Sequence, residues 1–146
     1  MMNSLASRYW VSVVSREHIL KGKEWGIIQV CHGKAAPLRR MKAGDWIVNY
    51  SSVESLQTKE KCQKFTALAR IKTGKVYQVD MGEGFQPFRL DAEFFPCRET
   101  PIHPLISELS FIKNSKQWGY PFRFGHFEIP AADFELISKN MAARPG

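Results

Sequence analysis

Residues 43–71, AGDWIVNYSSVESLQTKEKCQKFTALARI, hold a turn, a strand, a polar connection and a second strand. Ala43-Gly44-Asp45 is a tight turn, since Gly and Asp supply the backbone freedom that a sharp reversal needs. Trp46 to Tyr50 follows as a strand rich in β-formers, ended by Asn49, Tyr50 and Ser51. Ser52 to Lys64 is polar and charged and reads as an exposed, mobile connection, after which Phe65 to Ile71 forms the next strand.

Downstream, Val76 to Val79 and Phe88 to Phe95 read as two more strands joined by the Gly-containing loop Asp80 to Pro87. Thr100 to Leu109 opens with two prolines and continues with Leu105, Ile106 and Leu109, which suits a short helix after an irregular start. Pro130 sits in the first turn of a terminal helix whose buried stripe is Phe134, Ile137 and Met141, and Ala142 to Gly146 is expected to fray. Upstream, Tyr9 to Val14 alternates: Tyr9, Val11 and Val13 face one way, Trp10, Ser12 and Val14 the other. Ser15 caps a short helix, Arg16 to Lys21, that stops at Gly22. Gly26 to Val30 is a second strand running into the loop Cys31-His32-Gly33-Lys34, and Pro37 to Met41 is one helical turn. This order of elements fits an α+β fold, a small mixed β-barrel decorated by short helices, and not alternating βαβ units.

The chain has 146 residues, expected to form one domain, residues 1–146, able to bury about two-thirds of its unfolded surface without metal or disulfide support. Lys and Arg outnumber Asp and Glu by 21 to 14, a formal charge of +7, so polyanions and nucleic acid above all are the expected partners. Cys31, Cys62 and Cys97 form no CxxC pair, which argues against a disulfide framework or a zinc site and for a reducing, cytoplasmic setting. The opening MMNSLASRYW lacks the apolar run of about 7–15 residues that a signal peptide needs. No stretch approaches the roughly 20 apolar residues of a membrane span.

The segment 111–127, FIKNSKQWGYPFRFGHF, crowds six aromatic rings among glycines, an asparagine and cationic or imidazole side chains. Phe122 to Phe127 reads as a short strand behind the irregular turn Trp118-Gly119-Tyr120-Pro121. Flat rings beside Asn114 and Arg123 suit the stacking of a planar heterocycle and hydrogen bonding to its rim, and they equally suit the packing of a small core. Gly33 gives the loop Gln29 to Lys34 a backbone shape that lets amides approach a ligand. Lys34, Arg39, Arg40 and Lys42 are candidates for neutralising phosphates, or else a solvated charged face. No GxSxG elbow, HExxH, GxxxxGK[ST] or GxGxxG is present. Asp91 and Glu93 share a strand face as the best carboxylate pair, and Cys31 and His32, adjacent in sequence, would point to opposite faces of a regular strand.

YWVSVVSREH (9–18), GIIQVCHGKAAPLRRMKAGDWIVNYSS (26–52), FTALARI (65–71), VYQ (76–78) and LSFIKNSKQWGYPFRFGHFEIPAADFELI (109–137) together resemble the EVE-domain family in its bacterial form. The likeness runs in order from about Tyr9 to Met141, and the HGK loop, RMKAGDWIVNYS and WG-FRFG are its specific motifs. It implies a PUA-like fold similar to the YTH readers of methylated adenine in RNA. It also implies a non-enzymatic module without a cofactor that holds a modified DNA or RNA base in an aromatic-lined pocket. Carried over by position, that pocket comprises Trp10, Ser12, Gln29, Val30, His32, Gly33, Lys34, Tyr50, Ser51, Asn114, Trp118 and Arg123, with the base sandwiched between Trp118 and Tyr50 or Trp10. Two rivals accompany this reading: an enzyme of related fold acting through His32 or a carboxylate, and a protein-interaction module that docks a partner on its aromatic patch.

Overall fold

The computed structural model describes residues 6–143. Its strands are β1 (Tyr9–Val13), β2 (Ile27–Ile28), β3 (Trp46–Val53), β4 (Lys61–Ile71), β5 (Tyr77–Gln78), β6 (Phe88–Phe94), β7 (Thr100–Pro101) and β8 (His126–Ile129). The helices are α1 (Arg16–Trp25), α2 (Ala35–Leu38) and α3 (Ala131–Asn140), with short 3-10 turns between some of these elements.

The sheet runs β2-β6-β4-β3-β1-β8, with β5 added to β6 and β7 to β4. β1 and β3 pair in parallel, Val11 opposite Val48. A parallel pair needs a crossover, and α1, β2 and α2 supply it. All other pairings are antiparallel. β4 serves two partners along one edge, β7 at Lys64 and Phe65 and β6 from Ala69 to Ile71. Register shifts in β3 after Asn49 and after Ser51 bend the strand, as bulges do, and the sheet curls into a half-barrel. This is the expected α+β, PUA-like mixed barrel with short peripheral helices.

Both faces of the central strands are buried, and the alternation of side chains assigns each residue to one of two cores. Val11, Val48, Tyr50, Phe65 and Leu68 join Phe134, Ile137 and Met141 of the terminal helix region in one. Trp10, Ile47, Ala69 and Ile71 join Val30, Leu38 and Met41 in the other. The faces read from Tyr9–Val14 are the observed ones, with Tyr9, Val11 and Val13 against the first core and Trp10 and Val14 against the second.

Several boundaries differ from the sequence reading, each for a physical reason. α1 does not stop at Gly22: it continues to Trp25 and ends on Gly26 in the left-handed conformation, φ 69°. Gly22 is there for space, since a Cβ would lie 2.9 Å from the Ile27 carbonyl oxygen. The connection Ser52–Lys64 is strand at both ends, because β3 and β4 keep pairing as far as Val53 and Lys61; only residues 54–60 between them form a loop. Thr100–Leu109 forms no α-helix, since Thr100 and Pro101 pair with β4 before a 3-10 turn at His103–Leu105. Phe122–Phe127 is not one strand either. A 3-10 turn spans Tyr120–Phe124, Gly125 breaks it at φ 76°, and pairing begins only at His126. Ala142 and Ala143 are held by amide hydrogen bonds to Lys139 and Ser138, while the rest of the expected frayed end lies outside the described residues.

Candidate functional site

Four segments converge on a cleft of about 360 Å³. Ser15, His18 and Trp25 come from the start and both ends of α1, Gln29 and His32 from the turn after β2, Leu56 and Gln57 from the β3–β4 tip, and Met81 and Phe85 from the β5–β6 loop. The helix start is fixed by Ser15, whose Oγ accepts the His18 amide at 3.2 Å, satisfying a free helix N–H. The rim is apolar yet open to solvent: Trp25 is 49% exposed, Leu56 62%, Met81 47% and Phe85 43%. Large apolar side chains left exposed together around a concavity are the signature of a binding surface.

The floor is polar and held in place. Arg89 Nε donates to Gln29 Oε1 at 2.9 Å, and its guanidinium sits 5.0 Å from the Trp25 ring centroid. Arginine only donates, so the Gln29 oxygen must face it, which leaves the Gln29 amide NH₂ as a donor for the cleft. Burial, reinforced by the nearby cations of Lys21 and Arg89, pushes the His18 pKa down against a hydrogen bond with the Gln29 backbone. His18 is therefore a neutral imidazole at pH 7. His32, held at φ 59°, is exposed at the edge of the same cleft.

Trp10, Ser12, Tyr50 and Ser51 lie elsewhere, inside the protein. Trp10 is 2% exposed, donates Nε1–H to Asp45 Oδ2 at 3.0 Å and stacks on His126 with centroids 4.8 Å apart. Ser12 Oγ donates to Asn49 Oδ1 at 2.9 Å, and Ser51 Oγ lies 2.9 Å from Thr66 Oγ1, all buried. Tyr50 is 1% exposed and packs its ring 4.2 Å from that of Phe122. Trp118 meets Tyr50 edge-on at 6.4 Å, 87° between planes, and also abuts His103 and Phe122. No slot opens between Trp118 and Tyr50, and Trp10 belongs to the other core, so neither expected sandwich is formed. Val30 is buried in that same second core. Gly33 is likewise occupied: a Cβ there would lie 2.6 Å from Pro87 Cβ, and its amide donates to Val30 O at 2.9 Å, so its role is close packing and its N–H is not free for a ligand.

A family model described as "EVE domain" matches residues 8–140. The chain belongs to the EVE-domain family. The UPF0310 protein in the gntR 5' region of Bacillus licheniformis is 54% identical over 127 residues, 87% of this chain and 86% of that protein. UPF0310 protein msl3206 of Mesorhizobium japonicum is 48% identical over 139 residues, 94% of this chain and 93% of its own length. Among solved structures, the YTH domain of Zygosaccharomyces rouxii MRB1 protein, crystallised in complex with N6-methyladenosine RNA, superposes with a TM-score of 0.60 at 17% identity, covering 95% of this chain and 89% of that one. Protein Atu2648 of Agrobacterium tumefaciens superposes with a TM-score of 0.59 at 14% identity, covering 91% and 92%. These structures share the fold of this EVE domain.

The remaining expected positions of the EVE domain divide by place. Gln29 and His32 line the cleft; Asn114 and Arg123 are exposed on the aromatic segment, away from it, with Asn114 Oδ1 accepting the Lys116 amide at 3.0 Å. Lys34, Arg39 and Arg40 are exposed and enter no ion pair among the described residues. Lys42 is committed, its Nζ 2.9 Å from the buried Asp45 carboxylate. Sequence reasoning passed over His18, Trp25, Leu56, Gln57, Met81 and Phe85. For Trp25 a signal existed, since it follows His18 by seven residues, two helical turns, and so shares that residue's face of α1. Met81 and Phe85 carried none, because loop tips take their meaning from what they fold over. Among the described residues no group of three or more His, Cys, Asp or Glu is placed to hold a metal ion, and no helix is long and apolar enough to cross a membrane.

Proposed function

We propose that this EVE domain is a non-enzymatic reader that takes one modified base of a DNA or RNA strand into the cleft between α1, the turn after β2 and the two loop tips. The observation that carries the reading is the pairing of an open apolar rim, Trp25 with Met81 and Phe85, with a fixed donor floor at Gln29. A volume of about 360 Å³ lies at the small end of ligand sites and matches a single nucleoside. The YTH domain of like fold, crystallised with N6-methyladenosine RNA, supports a nucleic-acid partner, as does the formal charge of +7.

Stacking on an aromatic side chain is worth about 1–3 kcal/mol per base, and extracting a base costs a few kcal/mol. The cleft alone therefore roughly breaks even, and phosphate contacts from Lys34, Arg39 and Arg40 supply the rest. A methyl group buried against the rim adds about 0.8 kcal/mol, so the preference for a modified base is modest. A neutral His18 suits this task, because a charged imidazole would repel the ring-edge donors that Gln29 leaves unmatched and would cost desolvation on every binding event.

The test is a binding screen of short single and double strands bearing different base modifications, at two salt concentrations, on the native chain and on Trp25→Ala. The native protein is expected to prefer at least one modified strand by several-fold, and Trp25→Ala to lose that preference while retaining weak, salt-sensitive binding. Equal affinity of the native protein for modified and plain strands throughout the screen would falsify the reading. Turnover of an oligonucleotide that disappears in His32→Ala would instead favour an enzyme.

A further inference from the structure

Two large rings stand outside both cores and outside the cleft. Phe124 is 61% exposed and Tyr120 57%; they meet edge-to-face, centroids 5.5 Å apart at 86°, and the Arg123 guanidinium lies 6.0 Å from the Tyr120 centroid. They form a ridge between two grooves. Phe124 walls one of about 460 Å³ with Arg8, Arg40 and Glu128, and Tyr120 walls one of about 320 Å³ with Lys113, Asn114 and Gln117.

The charge around the ridge is one-sided. Glu128, the acid in the first groove, is neutralised by Arg8, while Arg40 and Arg123 enter no ion pair among the described residues. The ridge is also tied to the cleft. Gly125, next to Phe124, approaches Cys31 so closely that a Cβ would lie 3.0 Å from Sγ, and Cys31 adjoins His32 of the cleft. The Gly125 carbonyl accepts the Val13 amide at 2.9 Å, two residues before Ser15 of the cleft. Exposed rings interleaved with uncommitted cations are the surface that binds single-stranded nucleic acid: rings stack on successive bases and cations follow the phosphates.

We infer that the Tyr120–Phe124 ridge is a second contact site, which stacks unmodified nucleotides of a single strand whose phosphates run along Arg40 and Arg123. This deepens the reading of the cleft as a base site, with the ridge holding the strand that flanks the captured base. The site tolerates any base, because every base offers a flat face, and rejects duplex, whose bases are already stacked.

The test uses fluorescence anisotropy with the full chain, comparing native protein, Phe124→Ala, Tyr120→Ala and Phe124→Trp. Both rings are exposed, so the alanine variants keep the native thermal midpoint. The probes are a modified nucleoside, plain oligo-dT and oligo-U of about four and ten nucleotides, and a plain duplex at equal salt. Each alanine variant is expected to lose on the order of tenfold in affinity for the ten-nucleotide strands, with Phe124→Trp restoring it and with duplex affinity and the modified-to-plain ratio unchanged. Unaltered single-strand affinity in both alanine variants overturns the inference, and so does an equal loss for duplex. Concentration-dependent self-association that Phe124→Ala abolishes, with strand affinity intact, would assign the ridge to a second copy of the chain and overturn it as well. Absence of any modified-base preference beside a retained Phe124 effect defeats the cleft reading alone.

Discussion

Asn49 grips the backbone of Val14 from both sides: its Oδ1 accepts the Val14 amide at 3.2 Å and its Nδ2 donates to the Val14 carbonyl at 3.2 Å. The same side chain accepts from Ser12 Oγ and donates to Ser51 Oγ and Thr66 Oγ1, so every polar atom of a buried amide is used. Val14 precedes Ser15, which caps α1 and lines the cleft. A residue in the middle of β3 thereby sets where the cleft wall begins.

Asn49→Ala leaves the Val14 amide and the Ser12 hydroxyl without their buried partner. Each orphaned group costs about 1–3 kcal/mol, so a loss of about 2–6 kcal/mol is expected for the two, read as a lower urea midpoint at unchanged slope. Binding of any cleft ligand should weaken with it. A shift under about 0.5 kcal/mol, the size of an ordinary surface change, would mean that the network does not hold the turn.

Gly22→Ala tests the contact that lets α1 lie on β2. Alanine improves an interior helix position by about 0.5–1 kcal/mol, but here its Cβ would sit 2.9 Å from the Ile27 carbonyl oxygen. Overpacking against backbone costs about 1–3 kcal/mol. The expected net is a loss near 1 kcal/mol, measured by thermal or urea unfolding, with Trp25 displaced at the cleft edge and its fluorescence altered. A raised thermal midpoint would show that helix and strand can separate freely.

Much of the fold could be read from the chain because alternation is a local property. Tyr9–Val13 announced its two faces, Trp46–Tyr50 announced a strand through its β-formers, and the terminal stripe Phe134, Ile137 and Met141 is buried as its spacing implied. What misled was glycine and polarity. Gly22 looked like a helix stop and serves as a gap; Ser52–Lys64 looked like a loop throughout and is paired strand at both ends, since a ladder tolerates polar side chains that face solvent. The site was half legible for a similar reason. Gln29 and His32 sit in a polar loop that advertises itself, whereas Ser12, Ser51 and Trp10 have polar handles that are consumed inside the protein. Met81 and Phe85 reach the cleft only through tertiary packing.

The four cations proposed for phosphates separate into two behaviours. Lys34, Arg39 and Arg40 are exposed and outside any ion pair among the described residues, so neutralising each that contacts a phosphate should reduce the salt slope of nucleic-acid binding by about 0.7–0.9. Lys42 is tethered to Asp45 and to the Ala6 carbonyl. Lys42→Gln should leave the slope untouched and lower stability by about 1 kcal/mol, the upper range for a partly exposed pair. A salt titration of each variant, with its unfolding midpoint, distinguishes the two; a changed slope for Lys42→Gln would place that residue on the phosphate path after all.

His126 makes stability depend on pH beginning above the range in which carboxylates titrate. Its ring is stacked on Trp10, with Nε2 3.4 Å from Met41 Sδ and Nδ1 without a partner. Burial, with a further push from the Arg40 charge, holds its pKa down at about 4, against roughly 6.5 in the unfolded chain. As pH falls below about 6.5 the unfolded chain takes up a proton that the folded protein refuses, so stability declines until both are protonated near pH 4. The depression corresponds to at most about 3 kcal/mol, and His18, depressed in the same direction, adds to the slope. The carboxylate of Asp45, itself held below the usual range once its four hydrogen bonds outweigh burial, contributes only at lower pH. His126→Phe keeps the stack on Trp10 and removes the orphaned nitrogen, so it should be neutral or stabilising at pH 7 and should flatten the decline between pH 6.5 and 4. Urea unfolding across that range decides the matter, and an unchanged pH profile in the phenylalanine variant would show that His126 already finds a proton partner in the folded protein.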